Sequence, residues 1–376
     1  MPIDLLTSPR SREEHLGLPM PDDRHAVSAC LPLWSHNIGY EEGDPAVVDR
    51  LQAAYPRFCL HPLVRQVCSK LVTEPGQCGL PFASLRSAKR AVEYAGWHGC
   101  PESKLVEFPG QQAWGVVVPE EFQGILKQYW QHAGEIVSSR VAERILLNQP
   151  TGSSPTPARD TVRERIARLH GVRANDVFLF SSGMAAVAAA WRAARHLRPA
   201  TGTCQFGFPY VDTLKIQERF PQASRTFYPL GSAADLESLE QHCRDNLPAA
   251  IFCEVPANPL LLTPDLARLQ SIARDARALL VIDDTLAACG NIQALPYADM
   301  VVTSLTKYFS GYGNVLAGAF VLNGASDQYA DLREFVSGTS RKRSVIPTWR
   351  CWNSTAAICR TDSGSSTTTQ FGWRIF

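Results

Sequence analysis

From residue 158 onward the chain alternates between two hydrophobic patterns. Val162, Ile166 and Leu169 recur at helical spacing and predict an amphipathic helix over 160–170. An apolar run at 177–180 follows and breaks into the polar turn Ser181-Ser182-Gly183. An alanine-rich helix is then predicted over 184–197. The same alternation continues with a helix at 212–220, a buried-type strand at 250–255 and a helix at 264–278. Apolar strands are predicted at 279–282, 300–303 and 317–322. Strands of four to six residues separated by helices imply an α/β domain with a largely parallel sheet. Ligands in such domains bind beyond the carboxyl ends of the strands.

Residues 1–150 are more mixed, with frequent breaks such as Pro75-Gly76 and Pro109-Gly110. A strand is predicted around 114–118, and helices at 120–132 and 139–147. The stretch 149–157 reads as a loop. Residues 337–376 hold 14 Ser or Thr, with six basic side chains against one acid and no clear period. That composition predicts a poorly ordered or aberrant tail. The resulting division is an N-terminal region and subunit-contact arm at 1–150, a ligand-binding domain at 151–336, and the tail.

Composition narrows the function classes. A chain that is 45% hydrophobic and 19% charged, with a net charge of +1, offers no electrostatic reason to expect nucleic acid or membrane as a partner. Eleven cysteines without a Cys-x-x-Cys pair argue against a disulfide framework, and no metal-ligand spacing is present. The start of the chain has no apolar core of signal length, and its acids argue against an organelle presequence. A cytoplasmic location is expected.

Four segments that follow predicted strands carry candidate chemistry. Ser181-Ser182-Gly183-Met184 opens a helix, whose free N–H groups and dipole favour a phosphate. Asp283 ends the apolar run 279–282, where a carboxylate could pair with a protonated ring nitrogen. Asp284 is less suited, because two successive acids cannot both point into one small site. Ser304 and Thr306 alternate onto one side and could bond phosphate oxygens, and Lys307 follows them. Only seven lysines occur among 37 basic residues, so a lysine ending an apolar strand draws notice as an amine nucleophile and base. Glu254 to Pro259 follows the strand at 250–255, and Asn258 there could bond a phenolate oxygen. A phosphate cup, an aspartate and then a lysine, each at a strand end, is one order of parts for a pyridoxal phosphate site.

These segments resemble the Cys/Met-metabolism pyridoxal enzymes of transsulfuration. Leu31–Trp34, Gly39–Gly43, Tyr55-Pro-Arg-Phe58 and Trp130-Gln-His132 are similar to the long N-terminal region of the fungal cystathionine gamma-synthase branch. The resemblance spans about residues 28–336. It implies the type I pyridoxal-phosphate transferase fold, with an extra N-terminal region and most of the C-terminal small domain missing. It also implies gamma-replacement of an O-acylhomoserine by cysteine to give cystathionine, a step of methionine biosynthesis. Lyase or O-acetylhomoserine sulfhydrylase chemistry, or a catalytically impaired cofactor-binding remnant, are the alternatives.

Residue by residue, the resemblance implies that Lys307 holds the cofactor as a Schiff base and moves protons. Asp283 would pair with the ring nitrogen, and Gly183, Met184, Ser304 and Thr306 would hold the phosphate. Tyr210, in Tyr-Val-Asp-Thr213, would stack on the ring and take part in catalysis, and Asn258 would contact the ring oxygen. Arg140 would reach a partner subunit's phosphate in a homo-oligomer, a dimer or tetramer. Ser138 stands where the family has a tyrosine, so that phenol contact is lost. The arginine for the substrate carboxylate belongs to the family's third region, where the tail stands here.

Overall fold

The computed structural model describes residues 6–150, 157–220 and 224–340. The N-terminal region begins with helices α1 (Trp34–Glu42), α2 (Pro45–Val48) and α3 (Pro62–Leu71). Proline opens α3 at its first helical position, where its missing N–H goes unneeded. Strands β1 (Gln77–Phe82), β2 (Lys104–Phe108) and β3 (Ala113–Pro119) form an antiparallel sheet in the order β1-β3-β2, with helix α4 (Leu85–Trp97) after β1. Helices α5 (Gln123–Ala133) and α6 (Ser139–Leu146) lie within a residue or three of the sequence expectation.

The remainder forms three layers. Strands β4 (Val177–Phe180), β5 (Thr203–Phe206), β6 (Arg225–Tyr228), β7 (Ala250–Glu254), β8 (Leu279–Asp283), β9 (Met300–Ser304) and β10 (Gly318–Leu322) make one seven-stranded sheet. Its order is β4-β10-β9-β8-β7-β5-β6. Only β10 runs against its neighbours, so the expectation of a mostly parallel sheet flanked by helices holds. One face packs against α8 (Gly183–Leu197), α9 (Val211–Arg219) and α12 (Tyr329–Ser340), together with α4 and α5 of the N-terminal region. The other face packs against α7 (Pro157–His170), α10 (Ala233–Asn246) and α11 (Leu266–Asp275). Strand alternation sends Phe252, Val281 and Val302 into the first core and Ile251, Ile282 and Val301 into the second.

The sequence pattern missed α1, α2, α3, α4, α10 and α12 among the helices and β1, β2, β5 and β6 among the strands. Strands β5 and β6 are only four residues long, β2 is largely exposed, and β1 is interrupted by Gly79 and Pro81, so none shows a clear two-residue period. The helix α12 runs to Ser340 and so crosses the expected boundary at 337. The rest of the expected tail, and most of the expected loop at 149–157, lie outside the described residues. All nine cysteines among the described residues are free. No helix among those residues is long and apolar enough to cross a membrane.

Candidate active site

Every strand of the seven-stranded sheet but β10 points its carboxyl end the same way. The segments after β4, β5, β7, β8 and β9 therefore gather at one edge of the sheet. The first element there is the turn into α8. Ser182 is the N-cap: its Oγ accepts from the Ala185 N–H at 3.1 Å and donates to the Gly134 carbonyl at 2.7 Å. Gly183 must be glycine, because a Cβ there would lie 2.6 Å from the Cβ of Ser304. Ser304 itself ends β9, and its buried Oγ has no hydrogen-bond partner among the described residues.

A chain of contacts links this cup to Asp283. The Ser304 N–H donates to the Thr285 hydroxyl at 2.9 Å, and the Thr285 hydroxyl and N–H both donate to Asp283 Oδ1. No ion pair to Asp283 forms among the described residues. Burial pushes its carboxyl above the usual range, against the Thr285 hydrogen bonds. Glu254 lies opposite Asp283 in the β7–β8 register. Burial and the charge of Asp283 push Glu254 up to about 8, although it accepts from the N–H groups of Tyr210 at 2.7 Å and Asn258 at 3.1 Å. Among the described residues neither acid has a basic partner, so a cationic group placed beside Asp283 would be stabilised there.

Asp284 turns the other way, as alternation requires. It accepts from the Thr303 hydroxyl, and burial pushes it up to about 7. Its second oxygen faces His170 Nε2 at 3.7 Å, close to Cys289 and on the α7 side of the sheet. The two successive acids thus occupy different environments, as the sequence reading required.

Lys307 lies in the single π-type turn that follows β9, with its side chain open to the edge of the sheet. Its Nζ stands 3.8 Å from the centre of the Tyr55 ring. Tyr55 belongs to the irregular segment between α2 and α3, and two residues later Arg57 is fully buried. The Arg57 guanidinium donates to the Tyr210 hydroxyl, to Asp212 and, at 3.0 Å, to the Gln131 carbonyl. Asp212 is bonded as well to His132 Nδ1 at 2.7 Å. Neither Tyr55 nor Arg57 carried a periodic or chemical signal. Only the short Tyr-Pro-Arg-Phe run drew attention to them.

The structure therefore gathers Gly183, Met184, Ser304, Asp283, Lys307 and Tyr210 at one sheet edge. It places three other expected residues less simply. The Thr306 hydroxyl bonds both the carbonyl and the N–H of Ala317, at 3.3 and 3.2 Å, and so is engaged away from the cup. Asn258 lies on an exposed turn. Arg140 donates to the Asn314 carbonyl within its own chain, beside the loop that follows Lys307.

The residues present fit pyridoxal phosphate. The helix N-terminus and the unpartnered Ser304 hydroxyl suit the phosphate, and the uncompensated Asp283 suits a protonated ring nitrogen. The fold and this edge define a pyridoxal-phosphate-dependent α/β enzyme. Residues 152–355 match the family described as Cys/Met metabolism PLP-dependent enzyme, and residues 60–138 match the fungal trans-sulfuration enzyme N-terminal domain. The chain belongs to the Cys/Met metabolism PLP-dependent enzyme family. The match continues past Val336, where the sequence reading had expected the pattern to stop.

Among relatives, the chain is 29% identical to the cystathionine gamma-synthase of Neurospora crassa, over 85% of this chain and 73% of that one. It is 34% identical to an L-2-amino-4-chloropent-4-enoate dechlorinase/desaturase of Streptantibioticus cattleyicolor, over 84% of this chain and 66% of the relative. A crystal structure of cystathionine gamma synthase from Xanthomonas oryzae pv. oryzae aligns at 24% identity with a TM-score of 0.42. It covers 54% of this chain, which spans about half the length of that structure.

Proposed function

We propose that the chain performs gamma-replacement on an O-acylhomoserine, with cysteine as the incoming thiol and cystathionine as the product. The observation that carries this reading is the continuous contact chain from Gly183 through Ser304 and Thr285 to Asp283, with Lys307 three residues beyond Ser304. The names of the two relatives point to the same substrate class. Each places the reaction at the gamma carbon of an α-amino acid.

In this reading Gly183, Met184 and Ser304 hold the phosphate, with Thr306 supporting the turn that carries Lys307. Asp283 would keep the ring nitrogen protonated, Tyr210 would cover the ring, and Asn258 would bond the ring oxygen. When bound, pyridoxal phosphate supplies the electron sink that takes up the pair left at the substrate alpha carbon. Lys307 anchors the cofactor through Nζ. Its amine, once free, would carry one proton at a time, giving up the alpha proton before it takes a beta proton, while the acyl group departs with its bonding pair and the thiolate of cysteine adds at the gamma carbon. Lys307 then returns the protons to the beta and alpha carbons. Arg140 serves a neighbouring subunit in a cytoplasmic homo-oligomer.

The test has two stages. Protein purified with pyridoxal phosphate shows a visible absorbance band, and Lys307→Ala removes it while circular dichroism stays unchanged. An O-acylhomoserine with cysteine then yields cystathionine. A band without turnover identifies a cofactor-binding remnant. Turnover with sulfide alone, or breakdown of cystathionine, identifies the sulfhydrylase or lyase reading.

A further inference from the structure

We propose that His170, Asp284 and Cys289 form a structural site for a divalent transition-metal ion of the zinc class, buried between α7 and the turn that follows β8. The site uses none of the residues assigned to the cofactor, and it stands apart from the reaction proposed above.

The three side chains converge from elements far apart in sequence. His170 is the last residue of α7, Asp284 follows the final residue of β8, and Cys289 lies just beyond the short turn Thr285–Ala287. One donor atom of each lies within 4.8 Å of the other two, and all three residues are buried. Donors around a zinc-class ion stand roughly 3.3–3.8 Å apart, given bonds of about 2.0–2.3 Å. His170 Nε2 and Asp284 Oδ2 are already 3.7 Å apart. That separation is too long for a hydrogen bond. Neither atom has a hydrogen-bond partner among the described residues, and both are closed off from solvent. Two buried polar atoms that face each other across such a gap call for a bridging group.

The donor set defines the ligand. Imidazole nitrogen, thiolate sulfur and carboxylate oxygen together suit zinc and its neighbours, and a sulfur donor disfavours magnesium or calcium. The thiolate and the carboxylate carry two negative charges. A divalent ion held by them and by a neutral imidazole makes a complex without net charge, the form that burial favours. An ion pair between His170 and Asp284 does not serve instead, because burial pushes the imidazole down to about 4 and the carboxyl up to about 7. Thr303 orients the donors. Its hydroxyl donates to Asp284 Oδ1 and leaves Oδ2 turned to the site, and the Cys289 thiol meets the same hydroxyl at 3.5 Å. Three protein donors leave a fourth position for a water molecule. Exposed glycines, Gly171 and Gly290, follow His170 and Cys289, so the site lies one residue beneath the surface. A bound ion ties the end of α7 to the end of β8, next to Asp283. No spacing in the sequence announces these donors, because only the packing of α7 on the sheet brings them together.

Metal reconstitution of the full chain tests the site. After treatment with a strong chelator, added Zn²⁺ raises Tm and saturates at about one ion per chain. Co²⁺ in place of Zn²⁺ reports the ligands, and a difference spectrum against the zinc-loaded protein removes the absorbance of any bound pyridoxal phosphate. That spectrum shows a near-ultraviolet sulfur-to-cobalt charge-transfer band, and Cys289→Ser loses it. His170→Gln and Asp284→Asn weaken Co²⁺ binding by about 100-fold or more, and Thr303→Val weakens it by about 10–100-fold. The Tm and the cobalt spectrum of the unsubstituted chain need no variant to fold. A chain whose Tm ignores Zn²⁺ and which shows no charge-transfer band with Co²⁺ would overturn the proposal, and a water-bridged pair of neutral acid and imidazole would take its place. A charge-transfer band that survives Cys289→Ser would overturn it as well, by placing the ion on another thiol.

Discussion

The two regions of this molecule contribute to one site in opposite ways. In the α/β domain, Ser182, Asp283, Ser304 and Lys307 lie at or just past strand ends, and each is announced by an apolar run that stops. Parallel strands must all end at the same edge, so local pattern is enough to bring distant residues together. In the N-terminal region, Tyr55 and Arg57 sit between helices, in a segment with no period. They reach the same edge only because that region docks on α8 and α9. The contrast teaches that a chemical site can have a legible half and a silent half, and that the silent half is held by buried charge.

Two ion clusters do that holding. Arg57 with Asp212 fastens the Tyr55 segment to α9. Glu135, between α5 and α6, joins Arg90 of α4 to Arg192 of α8 and accepts from the Tyr129 hydroxyl at 2.8 Å. Both clusters are buried, and a buried charge stripped of its partner is strongly unfavourable.

The largest effect is expected from Arg57→Leu, which leaves Asp212 buried with only His132 and the Gln131 side chain and frees the Tyr210 hydroxyl. The expected loss is about 3–5 kcal/mol in urea unfolding, with most of it recovered by Arg57→Lys. A loss below about 1 kcal/mol would show that the N-terminal segment is not fastened by this charge.

Glu135→Gln comes next. Burial pushes this carboxyl up, but Arg192 and Arg90 outweigh it and hold it down at about 2, against an ordinary 4.5. Because the folded value is the lower one, the contribution is fully present above about pH 5 and fades as pH falls towards about 2. It is worth about 3 kcal/mol. Wild type and Glu135→Gln should therefore converge in stability as the solution is acidified, read by thermal unfolding across that range. Parallel curves would remove the tie between the regions.

The smallest effect is expected at Gly134, which ends α5 in the left-handed conformation at φ +63°. A Cβ there would stand 2.4 Å from Ser182 Oγ and 2.7 Å from the Cβ of Met184. Gly134→Ala should cost about 1–3 kcal/mol and weaken binding of inorganic phosphate or pyridoxal phosphate at the cup. Unchanged phosphate binding, measured by calorimetry, would show that the N-terminal region does not support the cup.

The residue sequence by itself determined the strand-and-helix alternation, the Ser-Ser-Gly turn into α8, the separation of Asp283 from Asp284, and the place of Lys307 just past a strand end. All of these follow from a two-residue or 3.6-residue period and its interruption, which any short stretch of chain displays. The tertiary structure alone decided that Tyr55 lies against Lys307, that Arg57 is buried on Tyr210 and Asp212, that Thr306 faces Ala317, and that Arg140 reaches Asn314. Those outcomes depend on which surfaces dock across separations of up to about 250 residues. Docking is fixed by shape and by the pairing of buried charge, and neither has a period that a local reading of the chain can detect.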